Sequence, residues 1–161
     1  MKKVYLMIAS MVLMFSIKSN AQIIKAEIRA TGLTCSMCSN AINKQLKSMT
    51  EVVNVETDLN TNTFTVTLKE GNDLSPKVFK EKVEKAGFFI GSLVITAKPE
   101  TLTKTSYILV NDKKAIHQVQ FQVVDKGYVT EKEFKKLSKS YKNIDTYALN
   151  NEDDFHIKII N

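Results

Sequence analysis

The amino-acid sequence predicts an α+β protein, with a β-α-β-β-α-β unit over residues 22–97 and a smaller β-β-α-β-β unit over residues 105–161. Three observations lead to this prediction. Apolar residues recur with a period of two in some segments, as in strands, and at helical spacing in others. Short clusters of Asn, Asp and Gly separate these segments. The only two cysteines of the chain, Cys35 and Cys38, fall together between the first predicted strand and the first predicted helix.

The first strand and the first helix flank the cysteines. The strand has alternating apolar residues on one face: Ile24, Ala26, Ile28 and Ala30. Gly32 ends it. The helix is expected to begin between Ser36 and Cys38, and the Ser36 side chain is suited to cap its backbone donors. The residues that recur at helical spacing on its inner face are Ala41, Ile42, Gln45, Leu46 and Met49, most of them apolar.

A hairpin, a second helix and a last strand complete the first unit. Alternation predicts strands over residues 53–57 and 64–68, with a turn at 60–62 between them. Ser75 and Pro76 mark the start of the second helix. Gly87 marks its end, and the apolar run 88–95 predicts the fourth strand. The order is that of the ferredoxin-like split βαβ arrangement, in which the loop that carries the cysteines is exposed at one end of the sheet.

The second unit is predicted from weaker patterns. Residues 97–104 are expected to form a linker. The elements that follow are a strand at Tyr107 and Leu109, a strand over 119–123, a helix that opens with a capping box at 130–133, and two strands at Tyr147 to Leu149 and 155–159.

Polar side chains of the second unit receive structural interpretations. Alternation places His156 on the polar face with Lys158, so we expect it to be exposed. His117 is in register with the apolar face, so we expect it to be partly buried. Four lysines at helical spacing are expected to form a solvated face: Lys132, Lys135, Lys136 and Lys139.

Residues 1–21 have the pattern of a secretory signal peptide. Lys2 and Lys3 precede the apolar run 4–17, and the small residues Ser19 and Ala21 mark a cleavage site. The run is shorter than the roughly 18 apolar residues typical of a membrane span. We therefore expect cleavage near Ala21, no membrane anchor afterwards, and a periplasmic or secreted protein.

Charge and motif content exclude several functional classes. The formal net charge of +6 falls to +3 once the leader, with its three lysines and no acidic residues, is removed. A nucleic-acid-binding domain usually concentrates a basic patch, and this mixed-charge sequence has none. No nucleophile–base pair, phosphate-binding loop or cofactor fingerprint is evident, so we expect neither an enzyme nor a nucleic-acid partner.

The Cys35-x-x-Cys38 spacing is compatible with a disulfide, a redox dithiol or a metal site. A disulfide this short would constrain the unfolded chain only slightly. A thioredoxin-like dithiol is disfavoured because the chain has no tryptophan, no proline between the cysteines, and a different element order. Two thiolates favour soft ions such as Cu(I), whereas structural zinc ordinarily requires four ligands. The helix N-terminus near Cys38 would stabilise the thiolate form that binds the ion.

The segment Gly32-Leu33-Thr34-Cys35-Ser36-Met37-Cys38 resembles the Gly-Met-Thr-Cys-x-x-Cys motif of the heavy-metal-associated domain family. The resemblance extends over residues 22–96, and Gly87-Phe88 is similar to the Gly-aromatic pair before the family's last strand. Leu33 replaces the usual methionine, a substitution that conserves volume. The family includes copper chaperones, the amino-terminal domains of copper-transporting ATPases and periplasmic mercury-binding proteins.

The resemblance implies Cu(I) held by Cys35 and Cys38, for sequestration or for transfer to an acceptor such as a copper-transporting ATPase. It also implies that Phe88 shields the metal loop. Hg(II) at the same site is the first alternative, and Zn(II) comes third because Thr34 is neutral where a zinc-binding member would often have an acidic residue. A periplasmic dithiol oxidoreductase and a structural adaptor with an oxidised Cys-x-x-Cys remain as alternatives. Met37, between the ligands, is expected to face solvent.

Overall fold

The computed structural model describes residues 22–34, 36–104, 106–113, 117–149, 151 and 153–160. The leader therefore lies outside the described residues. The strands are β1 (Ile23–Thr31), β2 (Val52–Asp58), β3 (Thr63–Leu68), β4 (Phe89–Ala97), β5 (Tyr107–Leu109), β6 (Val119–Val123) and β7 (Phe155–Ile159). The α-helices are α1 (Ser36–Lys47), α2 (Pro76–Lys85), α3 (Glu131–Ser140) and α4 (Asp145–Leu149).

The described strands form a seven-stranded sheet with the order β2-β3-β1-β4-β6-β7-β5. Strand β4 pairs antiparallel with β1 on one side and with β6 on the other. The short strand β5 pairs parallel with β7 at the far edge. The first unit has the expected β-α-β-β-α-β order, and the mixed α+β fold is consistent with a ferredoxin-like arrangement. The sheet continues from this unit into the second one through β4 and β6.

The core of the first unit follows the predicted periodicities. Ala26 and Ile28 on β1 are fully buried, as are Phe64 and Val66 on β3. Apolar stripes at helical spacing on the two helices cover the same core: Ile42, Leu46, Phe79 and Val83. Burial of these side chains is the main favourable contribution to folding here. It fixes β1, and with it the position of the loop that carries the cysteines.

The predicted linker at 97–104 is an ordered segment. Ala97 closes β4, and Pro99–Thr103 form a 3-10 helix. Thr101 is buried, and its hydroxyl oxygen accepts a hydrogen bond from the Gln22 backbone N–H at 3.1 Å. Lys104 forms an ion pair with Asp73. These contacts hold the connection against Gln22, at the beginning of the described chain, and against Asp73, just before α2.

The prediction of a strand at Tyr147 and Leu149 is wrong, because these residues lie in helix α4. The order of the second unit is therefore β-β-α-α-β. Two apolar residues two positions apart do not distinguish a strand from a short helix. Tertiary contacts decide the outcome: the Tyr147 hydroxyl donates to the Val124 carbonyl oxygen at 2.6 Å, and its ring packs against Phe134. Leu149 is exposed.

The prediction of an exposed His156 is also wrong, since only 1% of its surface is exposed. Its ring Nδ1 lies 2.7 Å from Asp125 Oδ1, and its Nε2 lies 2.8 Å from Thr146 Oγ1. Its backbone N–H donates to Asp125 Oδ2 at 2.7 Å. Burial raises the pKa of the Asp125 carboxyl, and the hydrogen bonds from His156 oppose that rise. Alternation places the His156 side chain on the face of β7 that does not carry Phe155 and Ile157. Thr146 and Tyr147 of α4 cover this face of the sheet.

Two other predictions for the second unit have opposite outcomes. His117 is exposed, not partly buried, because β6 begins only at Val119. The solvated lysine face of α3 is confirmed, since all four lysines of that face are exposed. The helix begins as its capping box predicts, with Thr130 Oγ1 accepting a hydrogen bond from the Glu133 N–H at 3.3 Å.

Candidate metal centre

The cysteine loop follows β1 at one end of the sheet. Thr31 is the last residue of β1, and α1 begins at Ser36. Cys38 is half-buried in the first turn of α1, as the sequence predicts. Met37 is 78% exposed, which confirms its expected orientation toward solvent. Cys35 lies outside the described residues.

Neighbouring segments hold the base of this loop. Leu33, which replaces the methionine of the family motif, is half-buried and packs against the core. The turn between β2 and β3 reaches the same end of the sheet, where the Asn62 carbonyl oxygen accepts a hydrogen bond from the Ala30 N–H at 3.0 Å. These contacts therefore hold β1 in place close to the residue at which the cysteine loop begins.

Gly87 brings an aromatic ring to the loop. It ends α2 with φ = +88°, a conformation that residues with a Cβ adopt only with strain. The Gly87 N–H donates to the Glu84 carbonyl oxygen and the Phe88 N–H to the Val83 carbonyl oxygen, the paired bonds of a Schellman motif. A Cβ atom placed on Gly32 would lie 3.9 Å from Phe88 Cδ1. The half-buried Phe88 ring is therefore beside the start of the loop.

The electrostatic setting of Cys38 favours an anion. The first turn of α1 has no acidic residue, and the last turn has Lys44 and Lys47. The backbone N–H groups of this turn and the positive end of the helix dipole therefore lie near Cys38 without a competing carboxylate in that turn. This arrangement stabilises a thiolate, which is the form of cysteine that binds metal ions.

Comparisons with known proteins identify the family of this segment. A sequence model of the heavy-metal-associated domain matches residues 27–89. Through this segment the chain belongs to the heavy-metal-associated domain family. No match is found among curated proteins.

Solved structures similar to the heavy-metal-associated segment include two copper transport domains. The yeast copper transporter domain Ccc2a, studied in the apo and Cu(I) states, is 33% identical over 42% of this chain and 90% of its own, with a TM-score of 0.38. The Cu(I)-loaded N-terminal domain of a potential copper-translocating P-type ATPase from Bacillus subtilis is 33% identical over 42% of this chain and 82% of its own, with a TM-score of 0.37. A chain of an Atx1–Cu(I)–Ccc2a complex is 34% identical over 40% of this chain and 88% of its own, with a TM-score of 0.36.

The described residues outside the heavy-metal-associated segment add no second metal centre. Across the parts of the chain that the structure describes, no group of three or more His, Cys, Asp or Glu side chains is arranged to hold a metal ion. The helices in those same parts lack the length and apolar character needed to span a membrane.

Gly91 of β4 lies between Thr31, at the end of β1, and Thr130 of the second unit. The sequence analysis did not identify its role. It is the extra residue of a β-bulge, since Arg29 pairs with Ser92 and Ala30 with Ile90. A Cβ atom at Gly91 would lie 2.5 Å from Thr31 Cγ2 and 3.6 Å from Thr130 Cγ2. Only glycine allows this approach without displacement of Thr31. An isolated glycine inside a strand is a known signal of such a bulge.

Replacing Gly91 with alanine is expected to lower the free energy of unfolding by about 1–3 kcal/mol, because the new methyl group overlaps Thr31 Cγ2. The double variant Gly91→Ala/Thr31→Ser should recover most of this loss. Serine lacks the clashing methyl group and retains the hydroxyl, which bonds the Phe89 carbonyl oxygen at 3.3 Å. Urea unfolding of the wild type, both single variants and the double variant measures the coupling. Equal losses in Gly91→Ala and in the double variant would show that the Thr31 contact is not the cause.

Proposed function

We propose that this protein is a periplasmic Cu(I) carrier that holds one ion between Cys35 and Cys38 and transfers it to an acceptor protein. The observation that carries the proposal is a Cys-x-x-Cys motif, with Cys38 in the first turn of α1, in a segment that belongs to the heavy-metal-associated domain family. Similar solved domains are described in Cu(I)-loaded states. The leader pattern of residues 1–21 supports the periplasmic location.

The proposed chemistry uses few ligands and an open site. Two thiolates satisfy a soft ion such as Cu(I), which accepts low coordination numbers. An incoming thiolate from the acceptor can bind before either original bond breaks, as in thiol–disulfide exchange through a mixed intermediate. Phe88 limits access from the side of the sheet, whereas exposed Met37 marks the side that is open to a partner.

The proposed periplasmic location makes the redox state of the two cysteines important for this function. Both cysteines must be reduced to bind Cu(I), and a periplasm is oxidising. The thiolate that the helix N-terminus stabilises is also the form that undergoes oxidation. Bound Cu(I) would protect the pair, so we expect the carrier to be loaded and unloaded without a long apo stage.

Cu(I) titration in competition with a chromogenic chelator tests the proposal. Reduced protein lacking residues 1–21 should bind one Cu(I) per chain, because the motif supplies one pair of thiolates. The double variant Cys35→Ser/Cys38→Ser should bind none, since serine hydroxyls are poor ligands for a soft ion. The matched control Met37→Ala should retain full stoichiometry, because this exposed side chain is not among the proposed ligands.

Retention of tight Cu(I) binding in the double cysteine variant would contradict the site assignment. Preference for Hg(II) over Cu(I) in the same competition would change the proposed cargo. Metal-independent catalytic reduction of insulin disulfides would favour an oxidoreductase.

A further inference from the structure

A cleft of about 940 Å³ lies between α2 and α3, at the end of the sheet that carries the cysteine loop. Thr31, the last residue of β1, lines it together with Phe89 and Ile90 at the start of β4. The opposite wall belongs to the second unit and includes Val129 and Phe134. The cleft is therefore built jointly by the heavy-metal-associated segment and by the unit that follows it.

The lining of the cleft includes large apolar side chains. Phe89 is 68% exposed although it begins a strand, which is unusual for a large aromatic side chain. Phe134 is half-buried, and its ring packs against Tyr147 with 5.6 Å between the centroids. One ring is therefore held in place and the other is open to solvent, a combination that suits an incoming apolar side chain.

The rim of the cleft has excess positive charge. Lys80 pairs with Glu84 at 3.9 Å, so these two charges largely cancel. The other charged residues of the lining are Lys126, Lys135 and Glu131. Within the described residues, neither Lys126 nor Lys135 forms an ion pair. Lys126 and Lys135 together therefore give the cleft a positive potential that would attract an acidic partner.

We infer that this cleft is a docking site for an acidic segment of a protein partner, with an aromatic or large aliphatic side chain inserted between Phe89 and Phe134. The inference rests on the proposed function in one respect: a segment docked here would lie beside the cysteine loop, so the partner is the protein that exchanges Cu(I) with it. Apolar anchoring supplies affinity, and complementary charge at the rim supplies orientation and a faster association.

The shape of the cleft favours a peptide segment over an anionic membrane. A concave site encloses an inserted side chain, whereas membrane-surface binding uses an apolar face that projects into the headgroup region. The inference gives the second unit a role: it contributes one wall and much of the positive charge, so it selects the partner while the first unit binds the metal.

Fluorescence anisotropy with defined peptides tests this inference. The probe is a labelled 12-residue peptide with four Asp or Glu residues around one Phe. Two comparison peptides replace the acidic residues with lysine or the Phe with serine. The first peptide should bind the protein lacking residues 1–21 at least about tenfold more tightly than either comparison peptide, a difference of about 1.4 kcal/mol. Affinity should decrease as salt is raised, because the rim charges are exposed.

Matched variants locate the binding surface. Lys126→Glu/Lys135→Glu and, separately, Phe89→Ala should each weaken peptide binding about tenfold or more. Lys136→Glu/Lys139→Glu has the same change of charge on α3 but lies outside the cleft lining, and it should weaken binding less than about threefold. Leu149→Ala is the control for Phe89→Ala, because Leu149 is a similarly exposed apolar residue elsewhere. Amide NMR shifts in the wild-type protein should change at residues 89–90 and 126–135.

Three results would overturn the inference: equal weakening by the two charge-reversal pairs, no preference for the acidic Phe peptide, or displacement of the peptide by vesicles that contain anionic phospholipid. Its failure is distinguishable from failure of the proposed function. Peptide binding is measured in metal-free wild type and in Cys35→Ser/Cys38→Ser, and Cu(I) stoichiometry is measured separately in each cleft variant. Loss of peptide binding with intact Cu(I) binding contradicts only the docking site.

Discussion

Replacing His156 with alanine is expected to lower the free energy of unfolding by about 2–4 kcal/mol, because buried hydrogen-bonding groups lose their partner and the buried ring leaves a cavity. The variant leaves the Asp125 carboxylate buried without the ring that lies 2.7 Å from its Oδ1. It also removes the partner of the Thr146 hydroxyl. Urea unfolding at neutral pH, followed by circular dichroism, measures the loss.

Lys158→Ala is the control for this variant. Lys158 lies two residues from His156 on the same side of β7 but is exposed, so the change should stay within about 0.5 kcal/mol. The double variant His156→Ala/Asp125→Ala should lose less free energy of unfolding than the sum of the two single variants, because the second substitution removes the carboxylate that has lost its partner. A loss below about 1 kcal/mol in His156→Ala would mean that solvent replaces these hydrogen bonds at little cost.

Replacing Phe121 with alanine is expected to cost about 3–5 kcal/mol, as for other large aromatic residues in a core. Phe121 is fully buried on β6, where its neighbours across the sheet are Ile95 of β4 and Ile159 of β7. Its ring also packs edge-on against Tyr107, with 5.6 Å between the centroids. The cavity would therefore open at the junction of the two units.

The same variant tests whether the two units unfold together. All tyrosines of the described residues lie in the second unit and the chain has no tryptophan, so intrinsic fluorescence reports on that unit. Amide hydrogen exchange at Ile28 and Leu46 reports on the first. Since β4 is paired on both sides, we expect Phe121→Ala to weaken protection in both units by similar amounts. Loss confined to the second unit would contradict this coupling. Phe89→Ala, at an exposed phenylalanine, should change stability by less than about 1 kcal/mol.

The first unit could be predicted from sequence because local and tertiary signals coincide there. Ala26 and Ile28 alternate on a strand whose one face is buried, and Ile42 and Leu46 repeat at helical spacing over the same core. Caps and turns agree with these periods, as at Gly87. The position of Cys38 in the first turn of α1 followed from the same local signals.

The second unit was predicted less well because non-local contacts decide its structure. Tyr147 lies in a helix since its hydroxyl and ring are held by Val124 and Phe134, which are distant in sequence. His156 is buried because α4 covers a face that alternation alone marks as polar. Asp125 carried no local signal of its pairing with a histidine 31 residues away. The walls of the proposed docking cleft belong to different units, so no single stretch of sequence could have indicated this cleft.

The strand order of the sheet also bears on self-association. Were the first unit to end at β4, that strand would present a nine-residue edge of unpaired backbone groups that begins near the cysteine loop. Pairing with β6 covers Leu93–Ala97 of this edge, and an isolated bridge joins Ser92 to Val129. The sheet ends at β5, which has three residues, and at β2, which has a bulge near Val53 and exposed acidic side chains. Short, bulged and charged edges are the features by which β proteins resist strand-to-strand polymerisation. The second unit therefore covers most of the strand edge that the first unit alone would leave open to a partner strand or to another copy of the chain.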